Sequence, residues 1–360
     1  VFTLMMKVVY VAFGQHDVPD RKSVQSSSSW GIVFRAHADS INFNGVVLIG
    51  DSTGILFHEA YGFQELDATA KGILSKDAPF YLASVSKTFV AAAVLKLVEH
   101  GKLQLSNSVL DVFPSVDKRY EKISIKHLLN HTSGLPNDYT DYYDTFSSTE
   151  FDNRSLFSLF LKGGIKLEFS PGEQHAYSNV GYVMLALIIE KVSGMNLCDF
   201  INTHLTHHSP MMRLFGKDAG TFVSSYFVDS LATWQVYETG VYDGVEERTY
   251  GDGGLVGSAM DLYLWGLKLM QHEILQEESL TMMFAPGYLN DGTHFNYGMG
   301  IRVFPERNFY YHGGASWGYS HIFALYPDKK LIVVLLSNND LWGEIGILFK
   351  EIEQVLIRPK

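Results

Sequence analysis

SVSKTFVAAAVLKLVEHGKL, residues 84–103, decides the fold. It is rich in Ala, Leu and Val, its apolar residues recur at helical spacing, and Gly101 marks its end, so it reads as a long, mostly buried helix. Ser84 then stands at the first turn, with its hydroxyl near free backbone N–H groups and the positive end of the helix dipole. Lys87 follows three residues on, hence on the same face. Desolvation weakens the hold of a lysine amine on its proton, and a neutral amine there can take the serine proton without any histidine. A second Ser-x-x-Lys, Ser115 to Lys118, follows Pro114 amid charged residues and has no apolar helix behind it.

On the N-terminal side, FNGVVLIG (43–50) and ILFHEAYG (55–62) flank DSTG and read as a β-hairpin. Beyond the helix, further helical patterns lie at 125–130, 155–161, 180–192 and 259–271. Strand-like runs return at 297–304, 321–326 and 331–337, and LWGEIGILFKEIEQVLI (341–357) closes as an amphipathic helix. Strands at both ends with helices between predict an α/β (α+β) fold, an antiparallel sheet flanked by helices with a mainly helical lobe inserted. Residues 28–83 with 290–360 would form the sheet lobe and 84–289 the helical lobe, with the site in the cleft between them. A chain of 360 residues is long enough for two such lobes.

The balance of 28 Lys and Arg against 39 Asp and Glu gives a net charge of −11 and no basic run, which argues against a nucleic-acid partner. The single cysteine, Cys198, excludes an intrachain disulfide and a cysteine zinc site. Residues 1–27 read as an N-terminal extension. Lys7 with the apolar run 8–13, and Ala12 and Gly14 small at alternate positions, fits either the tail of a secretory signal or an edge strand. The first reading implies an exported protein and the second a cytoplasmic one. The run is too short to span a bilayer, so no stable membrane insertion is expected.

Two other patterns compete for the chemistry. Gly314-Ala315-Ser316-Trp317-Gly318 matches a nucleophile elbow, yet no acid followed by a histidine comes after Ser316 to complete a triad in that order. THLTHH places His204, His207 and His208 at helical spacing, but without an intervening glutamate and with Pro210 ending the segment it reads as a solvated helix end. No metal or other cofactor is expected.

PGEQHAYSNVGY (171–182) adds Tyr177-Ser178-Asn179 at the mouth of a helix, and YHGGASWG (311–318) adds His312-Gly313-Gly314 on a strand. With Ser84-x-x-Lys87, ISIKHLLNHTSGLP (123–136) and GDGGLVGSAMDL (251–262), these elements follow one order along the chain. In that order the chain resembles the serine β-lactamases and DD-peptidases, in particular the class C-like branch with its DD-carboxypeptidase, D-aminopeptidase and esterase relatives. The resemblance covers residues 43–357 and implies the two-lobed β-lactamase-like fold.

It further implies that Ser84 is acylated, that Lys87 helps to activate it, and that Tyr177 serves as base and then as acid toward the leaving group. Asn179 would hydrogen-bond a substrate amide and His312 would line the strand side. The N–H groups of Ser84 and Ala315 would form the oxyanion hole. Gly313 and Gly314 would let a substrate backbone lie against the strand. The branch usually carries lysine where this chain has His312, which weakens the case for a dedicated β-lactamase. His175, near Tyr177, is read first as a packing residue. The expected function is therefore hydrolysis of an amide or ester in a small-molecule or peptide substrate, foremost a D-amino-acid peptide or a small ester. The alternatives are a class C-type β-lactamase and a penicillin-binding or scaffolding protein without turnover.

Overall fold

In the structure, a computed structural model, residues 29–65, 71–146, 150–206, 213–214, 222–230, 233–242, 244–341 and 343–357 are described. The N-terminal extension 1–27 and His207 and His208 lie outside the described residues.

Helix α1 (Ser29–Ser40) leads into β1 (Gly45–Asp51) and β2 (Gly54–Tyr61), the predicted hairpin. Four further strands come from the C-terminal part: β3 (Arg302–Phe304), β4 (Phe309–Ser316), β5 (Tyr319–Tyr326) and β6 (Leu331–Ser337). They form one six-stranded sheet in the order β3-β4-β5-β6-β1-β2, antiparallel at every pairing. Both ends of the chain thus meet at the β1–β6 ladder, where Gly45 pairs with Ser337. The predicted strand over 297–304 is shorter than expected, because Gly300 turns the chain at φ +75° before Arg302 enters the sheet.

The central strands are buried on both faces, so they read as unbroken apolar runs instead of alternating ones. On the outer face Val47, Ile49, Val333 and Leu335 pack against Phe34 of α1 and against Leu348, Phe349 and Ile352 of the C-terminal helix. On the inner face Val46, Leu48, Val334 and Leu336 belong to the same core as α2 (Ser86–Glu99) and α3 (Asn179–Ser193). Helix α4 (Ala259–Met270) falls within the 84–289 segment, yet it packs on the sheet against β1 and β6. The C-terminal helix is α5 (Glu344–Ile357). Among the described residues no single helix is long and apolar enough to cross a membrane.

Candidate active site

Within the stretch 84–103, Ser84 stands two residues before α2 proper, in a 3-10 turn over Ala83–Val85. Ala83 itself has φ +46°, a left-handed backbone that sharpens the turn presenting Ser84. Lys87 is fully buried, and its Nζ donates to Ser84 Oγ at 2.9 Å, Asn179 Oδ1 at 2.8 Å and the Asp252 carbonyl at 2.6 Å. Three acceptors around one nitrogen match the three donors of an ammonium. Bonds of this charge-assisted kind are worth about 1.5–3 kcal/mol each, which offsets the burial of the charge.

Asn179 reaches this point because Ser178 caps α3: its Oγ accepts from Gly181 N–H and donates to the Pro136 carbonyl. The cap is Ser178, so Asn179 is free for other contacts. Its Oδ1 faces the ammonium, leaving the amide nitrogen as the group available to a ligand carbonyl. Tyr177 lies with its ring face toward Lys87, the Nζ being 4.9 Å from the ring centroid. Asp252 is carried by the turn GDGG, where Gly251 at φ +107° runs so close to Tyr182 that a Cβ would meet its carbonyl at 2.5 Å.

Strand β4 closes the other side. Over His312–Ser316 it pairs with β5 alone, since β3 reaches only to Tyr311, so its outer edge lies open along the Ser84 turn. Ala315 lines the resulting cleft, of about 200 Å³, together with Ser84, Asn179, Tyr139, Asp252 and Trp317. One expectation for this strand is corrected. His312 does not line the cleft: it is 2 % exposed, beneath it, with Nδ1 donating to the Gly313 carbonyl at 2.6 Å and Nε2 accepting from Tyr297 O–H at 3.0 Å. Burial first, and the Lys87 charge second, bring its pKa down to about 3, so the ring is neutral. Gly314 is required by the fold itself: a Cβ there would stand 2.6 Å from the Leu82 carbonyl and 3.2 Å from Val85, whereas one at Gly313 would touch only the His321 carbonyl, at 3.5 Å.

Ser316 is excluded as an elbow nucleophile by its setting. Ser316 pairs with Tyr319, and Trp317 and Gly318 between them both have positive φ, +42° and +79°, the signature of a two-residue hairpin turn and not of a strand-to-helix elbow.

His131 was not singled out from the sequence. It is fully buried with φ +60°, its ring centroid 4.2 Å from that of Tyr177 and 4.6 Å from that of Tyr297, and its Nδ1 accepts from Ser178 N–H at 3.1 Å. It therefore holds Tyr177 from behind. Burial pushes its pKa well below the usual value. His175 is the packing residue expected, stacked on Phe295 at 4.3 Å between centroids, with burial lowering its pKa to about 4. The signal in the sequence was the segment 123–136 itself, whose His131 carbonyl accepts from Ala176 N–H, while Asn137 just after it accepts from Asn179 N–H through its own carbonyl.

The Beta-lactamase family model matches residues 33–348. The chain belongs to the Beta-lactamase family. Penicillin-binding protein 4* of Bacillus subtilis is 33% identical over 327 residues, covering 86% of this chain and 71% of that protein. Among solved structures, a penicillin-binding protein from Bacillus halodurans superposes with a TM-score of 0.76 at 24% identity, over 90% of this chain and 99% of that one. D-amino acid amidase from Ochrobactrum anthropi SV3 gives 0.71 at 18% identity, over 91% and 98%. Membership makes this family protein a serine hydrolase with the mixed helix-and-sheet, β-lactamase-like fold.

Proposed function

We propose that this family member cleaves amides or esters, foremost of D-amino-acid compounds, through an acyl-enzyme on Ser84. The observation that carries the reading is the Lys87 ammonium held at 2.9 Å from Ser84 Oγ at the mouth of a cleft that Ala315 and Asn179 also line. Because Ser84 Oγ accepts from Lys87, its own proton is left for another base, and Tyr177 is the group assigned to it. Oγ attacks the scissile carbonyl, whose developing oxyanion takes hydrogen bonds from the N–H groups of Ser84 and Ala315. Tyr177 then returns the proton to the leaving amine or alcohol, and water attacks the acyl-enzyme by the same route in reverse. Asn179 holds the substrate amide through its free nitrogen. The D-amino acid amidase of like fold supports the substrate class.

A class C-type β-lactamase is disfavoured because the position-312 side chain is neutral and buried, and among the described residues no lysine or arginine lines the cleft to hold a substrate carboxylate. Turnover of a chromogenic cephalosporin at a kcat/KM near ~10⁴ M⁻¹s⁻¹ or above would reverse that preference. Intact-mass spectrometry after exposure to a fluorophosphonate tests the main reading. One adduct is expected on the native chain and none on Ser84→Ala, and labelling that survives the substitution overturns the assignment.

A further inference from the structure

The wall of the cleft that faces away from β4 is acidic. Glu247, Asp252 and Asp138 line it. The Tyr139 hydroxyl lies 2.9 Å from Glu247 Oε1, 3.0 Å from Asp252 Oδ2 and 2.6 Å from Thr249 Oγ1, while Tyr143 donates to Glu247 Oε2 at 2.5 Å. Tyr139 has one proton and can give it to only one of the two carboxylates. Thr249, whose hydroxyl also reaches Glu247 Oε1 at 3.2 Å, does not touch Asp252. Asp252 is 9 % exposed, and its Oδ1 has no hydrogen-bond partner. The backbone N–H groups of Asp252 and Gly253 also favour the Asp252 carboxylate, yet its Oδ1 stays without a partner at the edge of the cleft. A buried acceptor left in that state is costly, and what would satisfy it is a cation carrying several N–H groups.

The position of the deficit is informative. The Asp252 carbonyl accepts from the same Lys87 Nζ that donates to Ser84 Oγ, so the orphaned carboxylate belongs to a residue tied to the nucleophile through two hydrogen bonds. A cation docked there would sit close to the carbonyl under attack, as the amine of an α-amino acyl group does. We infer that Glu247 and Asp252 form a receptor for a substrate ammonium, so that the enzyme takes amides or esters of amino acids whose amine is free. The inference rests on the hydrolase reading above and narrows its substrate class away from carboxylate-bearing peptides. The pair is poised for this exchange. Burial and the neighbouring Asp252 raise the Glu247 pKa to about 7, and burial raises that of Asp252 against the opposing pull of Lys87. The other titratable groups facing the pair are Tyr139, Tyr143 and Tyr81.

Calorimetric titration of the Ser84→Ala protein at pH 7.5 tests it, with D-phenylalaninamide, N-acetyl-D-phenylalaninamide and N-acetyl-D-phenylalanine as probes. The free amine should bind ~10-fold or more tightly than its acetylated form, the range of one charge-assisted hydrogen bond. Adding Glu247→Gln should cut that preference several-fold. Should that variant fail to fold, heats at pH 6, where the probe's amine is already charged, in buffers of different ionisation enthalpy give an independent readout: ammonium binding should release protons, because it returns Glu247 toward its ordinary range. Equal binding of amine and acetylated amide, tighter binding of the carboxylate, binding of none, or proton uptake would each overturn the inference. Fluorophosphonate labelling of the native chain separates the two readings. Labelling without amine preference removes only the ammonium receptor, and amine preference without labelling removes only the Ser84 nucleophile.

Discussion

Substituting the paired glycines of β4 one at a time separates a packing role from a substrate role. In Gly314→Ala the new methyl would stand 2.6 Å from the Leu82 carbonyl, so strand and turn must part by about 0.8 Å to reach ordinary contact at 3.4 Å. Neither side yields easily: Leu82 N–H is bonded to the Leu255 carbonyl, and Gly314 is paired with His321 across the sheet. Overpacking of this kind costs about 1–3 kcal/mol. The parting also moves Ala315 away from Ser84, and a displacement approaching ~1 Å at a reacting centre lowers the rate by ~10²-fold. Gly313→Ala is the control, since its methyl meets only a carbonyl at 3.5 Å and its stability should change by no more than about 0.5 kcal/mol. Urea denaturation and the rate of fluorophosphonate labelling read the two effects. If Gly314→Ala matches the native chain in both while Gly313→Ala loses activity, the glycines serve the substrate and the packing argument fails.

Replacing His312 by Phe leaves the buried Tyr297 hydroxyl without its acceptor at 3.0 Å and should destabilise by about 1–3 kcal/mol in urea; an unchanged midpoint would remove the histidine from the packing account. Acidification should also destabilise. His312 and His321 titrate at about 3 and about 4 in the folded chain against an ordinary 6.5, so the unfolded chain binds protons that the native one refuses between about pH 6.5 and 4. Stability therefore falls with pH across that window, by about 1.4 kcal/mol per pH unit for each fully titrating histidine. His131 and His175 add in the same direction, while Glu247, raised to about 7, and Asp252, also raised, oppose. Melting temperatures that rose between pH 7 and pH 5 would contradict this sign.

Local pattern made Ser84 and Lys87 legible, because a three-residue spacing on a helix fixes a shared face whatever surrounds it. Asn179 came from the resemblance and not from spacing, and it stands at the first turn of α3. The hairpin β1–β2 and the closing helix followed from periodicity alone. What failed to show is what depends on distant partners. His312 was expected at the cleft because its neighbours are, but the inward position it occupies on β4 leads to Tyr297 under the cleft floor. Glu247 and Asp252 meet only through Tyr139, more than a hundred residues earlier, so no local spacing signals the pair. His131 needs a left-handed backbone to back Tyr177, which nothing in its own type announces.

Helices α1 and α5 lie against each other on the outer face of the sheet, whereas α2 and the cleft lie on the inner side. A surface tether attached on the solvent side of either helix therefore lies on the side of the molecule that faces away from Ser84. Immobilised through that face, the protein should give the same substrate access in a surface-bound assay as in free solution.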